Sequence, residues 1–176
     1  MKFRKLVCVV LALATVLCVA GCSGKKDADA PDGMILASSD EADYLFYVPD
    51  KWHVDESTLF TSAYYSTGDP TSISVSAYGL KNNGSTVNDW WAGFQEEFSS
   101  VYSDVEISDA EDASLGSQDA VRYSVKASLA GAEYNFVFVA AIYKGYVYYL
   151  TYTSTPEFNE NHTEELEQVI KNFSFK

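Results

Sequence analysis

Carboxylates, two imidazoles and a large supply of hydroxyls are the groups in this 176-residue sequence that could carry out chemistry. The densest set is Asp104, Glu106, Asp109, Glu111 and Asp112, hard oxygen donors of the kind calcium takes. They lack the central Gly and closing Glu of an EF-hand loop, so they are weak metal candidates beside the simpler reading of a solvated acidic loop. A zinc centre asks for three or four ligands. His53 and His162 stand in different parts of the chain, and Cys8, Cys18 and Cys22 all lie near its start. No serine occupies a Gly-x-Ser-x-Gly elbow, and Gly79, Gly84 and Gly93 do not form a phosphate loop. Paired carboxylates recur all along so acidic a chain and do not by themselves signal glycoside chemistry. No catalytic residue and no cofactor is therefore assigned, and the protein is expected not to be an enzyme.

Aromatic side chains are the better binding candidates. Trp90 and Trp91 are adjacent, about 100° apart on a helix, so Trp90 is expected in the core and Trp91 in the core or at its edge. Tyr146, Tyr148 and Tyr152 share one side of a strand with Leu150. If helices leave the strand ends open, Trp91, Tyr146, Tyr148 and Tyr152 line a binding surface; if both sheet faces are covered, they are core.

The first residues set the location. Lys2, Arg4 and Lys5 precede an uncharged apolar run from Leu6 through Ala20, which is short for a membrane span and is followed at once by polar residues. Val19-Ala20-Gly21-Cys22 resembles the lipobox of bacterial lipoprotein signals. That resemblance implies cleavage between Gly21 and Cys22, diacylglycerol on the Cys22 thiol, and residence on the extracytoplasmic face of the cell membrane. Removal of residues 1–21 takes away three of the 12 basic residues and none of the 25 acidic ones, so nine remain against 25, a formal charge of −16. Such a field excludes nucleic acid as a partner and gives no polybasic help at a membrane, so attachment rests on the acyl chains.

Behind the leader, residues 22–39 read as the lipidated cysteine and a flexible tether, with Met34, Ile35 and Leu36 either docking as an edge element or merely preceding the domain. Residues 40–176 read as one domain. Tyr44 through Val48, Phe60 through Ser66 and Thr71 through Tyr78 are strand-like, the last with Ile73, Val75 and Ala77 alternating against serines. Thr86 and Asp89 form a capping-box pattern, and Val87, Trp90, Trp91, Phe94, Phe98 and Val101 recur at helical spacing. Val105 and Ile107 predict a short strand, residues 109–112 an acidic link. Residues 119–129, 133–143 and 146–154, joined by very short links, predict three antiparallel neighbours. A second helix follows, up to Asn172, with Leu166, Val169, Ile170 and Phe173 on its apolar side. The class is α+β: a central antiparallel sheet of six to seven strands with two main helices whose faces periodicity does not assign.

The opening Tyr44-Leu45-Phe46-Tyr47-Val48-Pro49-Asp50-Lys51-Trp52 and the close Val169-Ile170-Lys171-Asn172-Phe173-Ser174-Phe175 resemble those of PsbP-like and DcrB-like lipoproteins, in the PsbP/Mog1-like group. The resemblance implies an α/β/α sandwich and carries no catalytic residue onto this chain, because the fold serves unrelated tasks. The expected function is a lipid-anchored, non-enzymatic interaction or structural role in the envelope, with the membrane and an envelope protein as partners. A small-molecule or cation-binding lipoprotein is the alternative, and an enzyme of unrecognised class the third.

Overall fold

The computed structural model describes residues 29–55, 61–80 and 84–176. The leader, Gly21, Cys22 and the first part of the tether lie outside the described residues. In chain order the elements are β1 (Met34–Leu36), β2 (Tyr44–Leu45), β3 (Tyr47–Pro49), β4 (His53–Asp55), β5 (Thr61–Tyr64), β6 (Ser72–Gly79), α1 (Val87–Ser99), β7 (Ser103–Ile107), β8 (Glu111–Leu115), β9 (Gln118–Leu129), β10 (Ala132–Tyr143), β11 (Tyr146–Ser154), α2 (Thr163–Asn172) and β12 (Ser174–Phe175).

Two tight turns build the centre of the sheet. Ala130-Gly131 and Lys144-Gly145 have positive φ at both positions, 52° and 85° in the first and 48° and 81° in the second. That is the geometry of a two-residue hairpin whose twist matches its strands. Leu129 therefore pairs with Ala132 and Tyr143 with Tyr146, and β9, β10 and β11 follow in strict antiparallel register. The full sheet has the order β4-β5-β6-β11-β10-β9-β7, with β8 also pairing β9, so it has eight strands. β7 and β8 lie end to end along β9, which makes part of the expected acidic link a strand: Glu111 pairs opposite Arg122 and Asp112 opposite Val121. Alternation made this segment hard to read, because Glu111, Asp112 and Ser114 are all exposed and only Leu115 is fully buried.

The helices lie on opposite faces, which the sequence left open. α1 starts with a complete capping box between Thr86 and Asp89 and lays Val87, Trp90, Trp91 and Phe98 on Tyr123, Val125, Phe136 and Phe138. α2 lays Leu166, Val169 and Phe173 on the other face, against Val139, Ala141, Leu150 and Tyr152, together with Phe46 and Val48 from the N-terminal segment. β1 pairs with β3 and buries Met34 and Ile35, so the folded unit begins before residue 40 and takes in the end of the expected tether. β12 closes the fold on β2 through Ser174 and Leu45. Among the described residues no helix is long and apolar enough to cross a membrane.

Candidate functional site

α2 begins at a histidine held from both sides. His162 occupies the N-cap position and is buried. Its Nδ1 lies 2.5 Å from Glu165 Oε2 and its Nε2 lies 2.8 Å from Asp69 Oδ2. Asp69 sits in the loop between β5 and β6, where its Oδ1 accepts from the Thr71 backbone N–H at 3.0 Å and the Thr71 hydroxyl at 2.6 Å. Glu165 also accepts the Trp52 Nε1–H at 3.1 Å and pairs with the Lys51 ammonium. The rings of Tyr65 and Trp52 close round the imidazole, with centroids 4.3 and 5.5 Å away.

Burial by itself would raise both carboxyls. At Asp69 the hydrogen bonds from Thr71 and His162 outweigh burial and hold the group below the usual carboxylate range. Glu165 is held low in the same way by Lys51, His162 and Trp52. Each ring nitrogen of His162 faces a carboxylate oxygen at hydrogen-bond distance, so both are engaged within the protein. Neither nitrogen is free to take a proton from a substrate. The arrangement is a clamp between the β3–β4 turn, the β5–β6 loop and α2. The sequence reading of His162 as a plain helix-start residue missed it. Glu165, three residues on, was the local signal, but Asp69 is 93 residues away. His53, by contrast, is exposed on β4 beside Tyr64.

Most of the aromatic candidates are core. Trp91 is 6% exposed and stacks on Tyr123 with centroids 3.9 Å apart and planes 6° apart. Tyr148 and Tyr152 are buried under the α2 layer, the former against Tyr44 and Phe175. The α2 layer covers the sheet at Tyr148 and Tyr152, and Trp91 is packed between α1 and the opposite face, so these three residues are removed from the binding surface. Tyr146 alone of the four is open, at 49% exposure, at the end of β11 where its ring passes over Gly79.

The acidic candidates separate because an extended strand spreads its side chains. Among the described residues no three His, Cys, Asp or Glu side chains are placed to hold one metal ion. Glu111 and Asp112 lie along β8 and Asp109 in the exposed link before it. Asp104 and Glu106 instead join a cleft of about 530 Å³ between the β7–β9–β10 end of the sheet and the loop at residues 156–161. Its other lining residues include Lys126, Ser128, Glu133, Asn135, Glu157, Asn159, Glu160 and Asn161. The cleft was not legible in the sequence, since three strands and a loop contribute to it.

No protein-family model matches the sequence, and neither does any curated protein sequence. Several solved structures share the fold. Cyanobacterial PsbP (CyanoP) from Synechocystis sp. PCC 6803 superposes with a TM-score of 0.61 at 12% identity, over 87% of this chain and 98% of that one. LpqN from Mycobacterium tuberculosis gives 0.57 at 15% identity, over 76% and 83%. A Pseudomonas aeruginosa protein of unknown function gives 0.50 at 17%, over 79% and 94%. At such identities the likeness establishes the fold alone, an α+β fold with a large antiparallel sheet and two helices like that of CyanoP, as the fold class read from the sequence expected.

Proposed function

We propose that this chain is a lipid-anchored envelope protein whose domain works by binding a partner and not by catalysis. The observation that carries the reading is the contrast between its two polar sites. The one buried imidazole is committed on both nitrogens to structural carboxylates. The roomy polar site is a cleft without a His, Cys or Arg in its lining. A nucleophile and its base must lie within hydrogen-bond reach of each other, and the cleft's hydroxyls, Ser128 and Tyr134, are hydrogen-bonded to none of its carboxylates nor to Lys126 among the described residues. The lipobox ending in Cys22 supports the location, and LpqN, described as involved in cell envelope biogenesis, offers a precedent for this fold in such a setting.

The test has two arms in intact cells. Mass spectrometry of the N-terminal peptide reads diacylglycerol on Cys22, and Cys22→Ser moves the protein into the medium or strips its lipid mass. A photoreactive side chain at position 106 or 133 crosslinks to one discrete envelope protein, while the same group at position 111 does not. An unmodified N-terminus with unchanged retention overturns the anchor; no crosslink from the cleft positions overturns the partner.

A small-ligand reading is favoured by one observation, the cleft volume, which falls in the range of about 300–1,000 Å³ typical of ligand pockets. A thermal-shift screen against metabolites and cations decides it, because a ligand selective for the folded state raises the melting temperature.

A further inference from the structure

The face of the sheet under α2 is only partly covered. Along β9 the side chains on that face run from buried Ala120 through half-buried Arg122 to exposed Ser124 and Lys126. Along β10 they run from buried Ala141 and Val139 to half-buried Asn135 and exposed Glu133. The sheet continues past the helix as a bare polar floor, and residues 156–161 stand over it as a wall, giving the 530 Å³ cleft. Its fixed charge is unbalanced. Asp104, Glu106, Glu133, Glu157 and Glu160 line it against the single cation Lys126. Among the described residues none of the six is in an ion pair, although Glu106 stands opposite Lys126 in register.

We infer that this bare sheet face is the docking groove for an extended basic peptide segment of a partner protein, one carrying several Lys or Arg side chains. The inference rests on the binding role proposed above and names the chemistry of the partner. Carboxylates spread over two strands and a loop do not converge on one ion. They match positive charges spaced along a chain, where complementary potentials also speed encounter. The Asn135 and Asn161 amides make no side-chain hydrogen bond among the described residues and can each donate to and accept from a peptide backbone. That capacity favours a peptide over a simple polyamine.

The test uses the full chain purified in detergent and a fluorescein-labelled peptide of alternating lysine and alanine, read by anisotropy at low salt. Binding is expected, with a loss of about tenfold or more in Glu106→Gln/Glu133→Gln and little change in Glu111→Gln/Asp112→Asn, an equal-charge control on β8. Equal loss in all variants reduces the effect to non-specific attraction by an acidic protein and overturns the groove. Spermine displacing the peptide at comparable concentration assigns the site to small polyamines and overturns the peptide. No binding at low salt overturns the basic partner, whereas crosslinks from positions 106 and 133 in cells would still stand for a partner of other chemistry.

Discussion

His162 Nε2 and Asp69 Oδ2 meet at 2.8 Å although the two residues are 93 positions apart, and this contact fixes the start of α2 against the loop between β5 and β6. Both side chains are nearly inaccessible to solvent, at 5% and 10% exposure. A hydrogen-bonded polar pair so placed contributes little in net terms, because desolvation offsets attraction, yet losing one partner strands the other. His162→Gln is therefore expected to destabilise the fold by about 3 kcal/mol, and His53→Gln by less than about 0.5 kcal/mol. Urea denaturation curves of the two variants measure the difference, and similar midpoints would contradict the clamp.

The same network sets an acid limit. Asp69 and Glu165 titrate lower in the folded chain than their unfolded values of about 3.9 and 4.3. The unfolded chain thus binds protons first as pH falls. The stabilisation is fully present above about pH 5 and is lost as pH drops through the lowered folded values. Thermal melts between pH 6 and pH 2.5 should show this loss, and a combined Asp69→Asn/Glu165→Gln variant should flatten its share.

Trp91 and Tyr146 are expected to behave oppositely. Trp91→Ala removes a ring stacked between α1 and the sheet and should cost about 3–5 kcal/mol. Tyr146→Ala alters a half-exposed ring and should stay near about 0.5 kcal/mol. Chemical denaturation followed by far-UV circular dichroism gives both numbers.

Gly116 couples the β8–β9 turn to the end of the chain. Its φ is +60°, and an added Cβ would stand 3.3 Å from both the Phe175 ring and the Ser174 Cα. Gly116→Ala should cost more than about 1 kcal/mol from the backbone conformation alone and should loosen the β2–β12 pair. Hydrogen exchange at the amides of that pair checks it, with faster exchange expected in the variant.

What was legible in the sequence were features set by neighbours along the chain. Thr86 and Asp89 announce α1, and Ala130-Gly131 and Lys144-Gly145 announce the meander, because a cap or a two-residue turn is chosen within a few positions. β8 escaped because its exposed face leaves few apolar positions to show a period. The helix faces, the His162 clamp and the cleft depend on which elements meet, and no local pattern encodes that Asp69 will reach His162 or that Glu133 will face residues 156–161. Trp91 was ambiguous for a related reason: its burial depends on Tyr123 lying beneath it.

The placement of the tryptophans equips the protein with two optical reporters. Trp52 lies beside the His162 ring under the α2 layer, while Trp90 and Trp91 lie between α1 and the opposite face. A histidine ring packed against an indole alters its fluorescence, and a tyrosine stacked flat on an indole gives a near-ultraviolet dichroic signal. Emission from Trp52 and dichroism from the Trp91–Tyr123 stack can therefore time the detachment of each helical layer independently, in the unlabelled molecule, during a single unfolding experiment.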